Sequence, residues 1–167
     1  LPECDGVLSG YLGSAEIGEA VLDAVAQVRA ANPNARYCCD PVIGDVGRGI
    51  FVRPGIPEFM RERAVPAADV ITPNQFELEF LTERTTGTLH DAIAAVDLLH
   101  EIGPTSVLVT SLHTEETPHD AVDLLMAAFA RDIVEIGKAV LDQSEPATRC
   151  LHHVGAGGDR GLVAVDA

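Results

Sequence analysis

The sequence predicts an α/β domain built on a mostly parallel sheet flanked by helices, and three observations predict it. Short β-rich apolar runs recur near Val7, Arg36, Val70 and Val107, each closed by a turn or by polar residues. Between them lie segments with apolar residues at helical spacing, opened by residues that make good N-caps. The order βαβ(α)βαβ then implies parallel strands joined by right-handed crossovers. At 167 residues and 47% hydrophobic content the chain suits one domain with an ample core.

In chain order, Val7 and Leu8 begin a short apolar run that ends at Ser9 and Gly10. Ser14 is placed to cap a helix carrying Ile17, Val21, Val25 and Val28 on one face, and Asn32 with Pro33 stops it. Arg36 to Asp40 reads as a second buried strand ended by Pro41. The stretch with Gly44, Gly47 and Gly49 reads as a flexible loop, either covering a site or lying on the surface with no further role. Pro57 to Arg63 makes a short helix, and Val70, Ile71 and Thr72 form the next strand.

Pro73 disfavours helix at Thr72, Asn74 is a good N-cap, and Glu77 holds the third helical position, so a helix begins within a residue of Asn74. Thr88 caps another, with Asp91 third, Ile93, Val96 and Leu99 on its apolar side, and Gly103 and Pro104 at its close. Val107 to Val109 is a short strand ending in Thr110 and Ser111. Further on, Asp120 to Phe129 fits a helix or a buried strand, and Phe129, Ile133, Ile136 and Val140 mark an amphipathic helix. Gln143 to Arg149 reads as a loop, and the chain closes with VGAGGDRGLVAVDA.

Charge narrows the partners. Lys and Arg number 11 against 26 Asp and Glu, a formal net charge of −15, with no basic run. Nucleic acid and anionic membrane are therefore disfavoured, whereas a small anion can still be held by helix N-termini, a divalent metal or local arginines. No stretch has the apolar length of a membrane span, and Leu1 to Gly10 lacks the pattern of a signal peptide. Cys4, Cys38, Cys39 and Cys150 fit neither a zinc spacing nor a dense disulfide framework, so a reduced, cytoplasmic protein is expected. Leu1 is not an initiator Met and a strand-like run begins a few residues later, so the chain reads as a piece of a longer protein.

Parallel strands place their carboxyl ends on one edge of the sheet, where open α/β sheets bind ligands. Asp40 and Asp45, Asn74 and Glu77, and Thr110 and Ser111 should converge there. Carboxylates with an amide and hydroxyls suit hard-metal and phosphate chemistry, and Mg²⁺ needs only one or two protein carboxylates because it keeps several waters. The Asn-x-x-Glu spacing has a second explanation, a reciprocal capping box that needs no ligand. There is no G-x-G-x-x-G, and Gly137-Lys138-Ala139 lacks the hydroxyl and leading glycine of a P-loop.

The strings SGYLGSAE (9 to 16), CDPVIGD (39 to 45), GRGIFVRPGIPEF (47 to 59), ADVITPNQFELEFL (68 to 81) and GPTSVLVTS (103 to 111) resemble the pyridoxal kinase branch of the ribokinase superfamily. The match runs in unbroken order from about residue 5 to residue 126. The resemblance implies a partial ribokinase-like domain over 1–167. It implies ATP-dependent phosphorylation of the 5′ hydroxymethyl group of pyridoxal or a related B6 vitamer, with Mg²⁺, commonly a monovalent cation such as K⁺, and a homodimeric assembly. It places Asp40 near the ATP phosphates and metal with Asp45 close by, and gives Asn74 and Glu77 the task of orienting metal-bound water and phosphate. Thr110 and Ser111 then approach the nucleotide, Phe51 lies in the cover loop, and Tyr11 lies beside the ligands.

The family's G-x-G-D turn has its nearest counterpart in VGAGGDRG, with one glycine too many. There Gly155 and Gly157 would be the anion hole and Asp159 the base; the other explanation is a Gly-rich turn before a terminal strand, LVAV. Residues 129–153 lack the strand-rich pattern expected there, and 129–167 match poorly. The family's N-terminal portion and its helices after the G-x-G-D turn have no counterpart in the sequence. Another vitamin kinase of this type, such as one for hydroxymethylpyrimidine, and a non-catalytic remnant serving as a binding or oligomerisation module are the alternatives.

Overall fold

The computed structural model describes residues 3–128, 148–154 and 163–165, the last two stretches as backbone strands. Element order is β1 (Gly6–Ser9), α1 (Ala15–Ala31), β2 (Arg36–Cys39), β3 (Gly44–Asp45), β4 (Gly49–Ile50), α2 (Ile56–Phe59), a π-helical segment (Met60–Ala64) and α3 (Val65–Ala67). Then come β5 (Val70–Ile71), α4 (Gln75–Thr82), α5 (Leu89–Ile102), β6 (Ser106–Leu112), β7 (Val122–Ala128), β8 (Thr148–Val154) and β9 (Val163–Val165). A seven-stranded sheet runs β1-β2-β5-β6-β7-β8-β9, and β3 pairs with β4 in a separate hairpin. Neighbours from β1 to β6 are parallel, as predicted. Strand β7 is antiparallel to β6, β8 parallel to β7, and β9 antiparallel to β8.

The caps fall where local chemistry puts them. Ser14 accepts from the Ile17 N–H at the start of α1, and both Asn74 and Thr88 complete reciprocal capping boxes with Glu77 and Asp91. Helix α1 turns Val21, Val25 and Val28 inward as predicted but departs at its first turn. Ile17 is 52% exposed, while Gly18, Val25 and Val28 are buried. Gly18 turns inward because the Phe59 ring lies directly against its backbone, leaving no room for a Cβ.

Three other segments depart from expectation. The glycine-rich loop is an ordered hairpin: Gly44 pairs with Ile50 and Asp45 with Gly49. Gly47 and Gly49 supply the positive φ its turn needs. The short helix runs on through Pro66 to Ala67, because Val65 donates to Met60 O five residues back and the widened π-turn accommodates the proline that follows. Of the two readings open for the stretch from Asp120, the buried strand is the one seen: β7 over Val122–Ala128 is paired along β6 and buried from Leu125 to Ala128. The predicted loop over Gln143 to Arg149 gives way to β8 from Thr148, and the 129–153 stretch therefore does contain a strand. Its mixed polar sequence hides the period that pairing with β7 imposes. The amphipathic helix expected over 129–140 lies outside the described residues.

The core gathers Tyr37, Ile43, Ile56, Met60, Ile71, Leu78, Leu99, Leu112 and Leu125 around the sheet. At its amino edge Asp69 ties elements together. Its carboxylate pairs with Arg29 at 2.7 Å and Arg36 at 3.7 Å and accepts the Tyr37 N–H, while its carbonyl accepts the Thr105 and Ser106 N–H groups. Among the described residues β1 pairs only with β2, and Leu8 on it is 74% exposed. Gly18→Val should displace the Phe59 ring and lower stability by about 1–3 kcal/mol, the usual range for overpacking a filled site. Thermal unfolding followed by circular dichroism checks it: a melting temperature equal to the parent's would mean the α1–α2 contact yields freely.

Candidate active site

Strands β1, β2, β5 and β6 end on one edge of the sheet, and each leaves a polar residue there. Asp40 follows β2, with its N–H on Ser9 O at the end of β1; Thr72 follows β5 and donates its N–H to Cys39 O. Asn74 forms an isolated parallel bridge with Thr110, whose N–H reaches Pro73 O at 2.9 Å. The amino terminus of α4 is thus stitched between β2 and β6 at the carboxyl edge, where the first N–H groups of a helix favour an anion.

Asn74 and Glu77 are both cap and cross-link. Glu77 Oε2 accepts the Asn74 N–H at 2.9 Å and Asn74 Oδ1 accepts the Glu77 N–H at 2.9 Å, which closes the capping box. Glu77 Oε1 meanwhile accepts the Ile43 N–H at 3.0 Å, and Asn74 Nδ2 donates to Gly44 O at 2.8 Å. The two explanations open in the sequence therefore do not exhaust the geometry.

Electrostatics mark Asp40 and Glu77. Burial pushes the Asp40 carboxyl above its ordinary value, opposed by a hydrogen bond from Thr72. Glu77, 3% exposed, is likewise pushed up by burial. The N–H groups of Asn74, Ile43 and Gly44 pull it back, and the charge of Asp40 pushes it up again. The two carboxylates thus repel each other, and among the described residues neither has a Lys or Arg partner; the ion pairs lie at Asp69, Glu83 and Glu19. A hard divalent cation fits such a pair. No group of three or more His, Cys, Asp or Glu able to hold a metal occurs among the described residues, so a cation here would complete its shell with water or phosphate oxygen.

The other predicted residues are spread around this edge. Asp45 lies in the β3–β4 hairpin, where Oδ1 accepts the Val46 N–H at 2.8 Å. Phe51 follows β4, 43% exposed, with the Arg48 guanidinium 5.1 Å from its ring centroid. Tyr11 is 65% exposed after β1. Thr110 and Ser111 lie within β6, which runs on to Leu112 past an irregular register, with Ser111 at φ 50°. Gly155, Gly157 and Asp159 lie outside the described residues. Two residues escaped the sequence reading: Thr72, which bonds Asp40, and Gln75, whose amide bridges Thr86 and the backbone of His113. Only the TPNQ order itself could have signalled them. A cavity of about 420 Å³ lined by Arg84, Thr85, Asp91, Ala94 and Leu98 shares no residue with this edge.

Comparison with known proteins gives the family and the fold. The model of the phosphomethylpyrimidine kinase family matches residues 3–146. The chain belongs to that family. Among its relatives, the pyridoxal kinase PdxY of Granulibacter bethesdensis is 65% identical over 130 residues, covering 75% of this chain and 46% of the relative. The pyridoxal kinase PdxY of Rubrobacter xylanophilus is 52% identical over 141 residues, covering 84% and 49%. The chain spans about half the length of the curated relatives it matches. A solved pyridoxal kinase from Leishmania donovani, in complex with ADP and pyridoxamine, superposes with TM-score 0.63 at 33% identity, covering 70% of this chain and 40% of that one. Plasmodium falciparum PdxK with AMP-PNP and PL gives TM-score 0.62 at 30% identity, covering 70% and 42%. The family's mostly parallel, helix-flanked sheet is the one observed here.

A folded carboxyl value raised above the unfolded one gives stability that is full below the unfolded value and is lost as pH rises through the folded value. Asp40→Asn should therefore raise the melting temperature at neutral pH, by a few degrees at most because Asp40 is partly exposed, with the difference closing toward about pH 4. Melting curves of parent and variant across pH check it; a variant that melts lower at neutral pH would show that the charge stabilises the fold.

Proposed function

We propose that this chain is part of a kinase that transfers the γ-phosphoryl group of ATP to the 5′ hydroxymethyl group of pyridoxal or a related B6 vitamer. The observation that carries the reading is the placing of Asp40, directly after β2, and Glu77, at the start of α4, on one edge of the sheet, neither with a basic partner among the described residues. A half-buried and a buried carboxylate without a basic partner raise the affinity for a cation, and the adjoining helix N-terminus favours phosphate. ADP and AMP-PNP in the solved neighbours, with pyridoxamine and PL, support a nucleotide and a vitamer as the two ligands.

Asp40 faces the metal and phosphates, Asn74 and Glu77 fix the turn on which the phosphate rests, and Thr110 and Ser111 approach the nucleotide. Asp45, with Glu77, serves the metal, Phe51 belongs to the cover, and Tyr11 flanks the vitamer. Mg²⁺, once bound, bridges phosphate oxygens and offsets their developing charge; a monovalent cation such as K⁺ serves alongside it. Asp159 is the base toward the hydroxymethyl group, with Gly155 and Gly157 holding the transferred phosphoryl. The working assembly is a cytoplasmic homodimer. The family description, phosphomethylpyrimidine kinase, is the observation behind a second reading, a kinase of a pyrimidine vitamin precursor such as hydroxymethylpyrimidine.

Mg-ATP at a hundredfold excess over its Kd should stabilise the chain by about 2.7 kcal/mol, and Asp40→Ala should remove most of that gain. Thermal shift with Mg²⁺ and ATP added separately and together measures it; equal shifts in parent and variant would sink the assignment of Asp40. In a coupled assay of any form with turnover, pyridoxal should outpace hydroxymethylpyrimidine. Asp159→Asn should slow turnover by roughly 10²- to 10⁴-fold with little change in ATP affinity, and an unaffected rate would leave the segment a turn.

A further inference from the structure

The hairpin and the first turn of α4 meet through contacts that a helix cap does not need. Glu77 Oε1 takes the Ile43 N–H and Asn74 Nδ2 gives a hydrogen bond to Gly44 O, so each side chain spends its second polar atom on the base of the hairpin. Ile43 O in turn accepts the Phe51 N–H, closing that base from the far strand. Between them sits Gly44, where a Cβ would collide with the Phe76 ring of α4 and with Gly49 O of β4. The hairpin carries Val46, Ile50 and Phe51, all exposed, away from this anchored base.

We propose that Asn74 and Glu77 form a latch that fixes the β3–β4 hairpin to the amino end of α4, acting as positioning residues for a cover over the carboxyl edge of the sheet. Phosphate resting on the α4 turn and the cover then share one mount, so a shift in either is felt by the other. What the cover encloses rests on the kinase reading above; the latch itself does not.

Capping and latching can be separated in the intact chain. Asn74→Ser keeps a side-chain oxygen able to cap α4 but has nothing to reach Gly44 O. Glu77→Gln keeps one acceptor oxygen and turns an amide NH₂ toward one of the two N–H donors. Amide hydrogen exchange, measured without nucleotide, should show the Ile43 and Phe51 amides exchanging at least about tenfold faster in both variants. In Asn74→Ser the Leu78 amide inside α4 and the amides of β5 and β6 should keep the parent rate. Because the chain has no tryptophan, Phe51→Trp adds a single reporter, and its fluorescence anisotropy should fall when Asn74→Ser is combined with it. Unchanged exchange at Ile43 and Phe51 would overturn the latch, as would loss of protection in α4 equal to that in the hairpin. Failure of Mg-ATP to bind the parent would count against the kinase reading and leave the exchange result standing.

Discussion

A carboxylate taken out of water must be met by donors, and Glu77 is met almost entirely by backbone. Its oxygens draw N–H groups from the turn that starts α4, at Asn74, and from the chain leaving β2, at Ile43, two places far apart in sequence. That demand fixes where Pro73 and Asn74 sit, and through the bridge to Thr110 it fixes β6 at that residue. The carboxyl edge is therefore organised from inside one side chain outward. Neutralising that side chain would remove an acceptor, not merely a charge.

The two edges of the sheet handle buried acid in opposite ways. At the amino edge Asp69 is answered by Arg29 and Arg36 and by a peptide N–H, a network that ties α1, β2 and β5 and asks for nothing else. At the carboxyl edge burial raises both Asp40 and Glu77, and the charge of Asp40 raises Glu77 further, with only hydrogen bonds in return. Structure alone would favour a base there too. An edge left with surplus negative charge beside a positive helix end is arranged for a cation and an anion arriving together.

What was legible in the sequence was local. Ser14, Asn74 and Thr88 cap where they were placed because a cap is decided within four residues. The parallel order of the first strands followed from spacing alone. What was hidden depends on partners distant in sequence. Gly18 displaced Ile17 from the inner face of α1 because of a ring on α2, and the glycine-rich stretch became a hairpin because Glu77 and Asn74 hold its base. Strand β7 could not be told from a helix until β6 offered it a ladder. For the site, Asp40, Asn74 and Glu77 could be named from motif and strand ends, whereas the role of Thr72 required knowing which way Asp40 turns.

Strand β1 brings a colloidal consequence. Its outer row of peptide groups faces no strand among the described residues, and Leu8 stands out from it, so the edge is a template on which another copy could add. Against that stands a net charge of −15, which makes close approach of two copies repulsive over roughly the 8 Å Debye length of physiological salt. Raising ionic strength toward 1 M shortens that reach to about 3 Å, less than the spacing between paired strands. The long-range repulsion between two copies is then screened with no change in the fold, and the β1 edge with Leu8 comes within reach of a second chain.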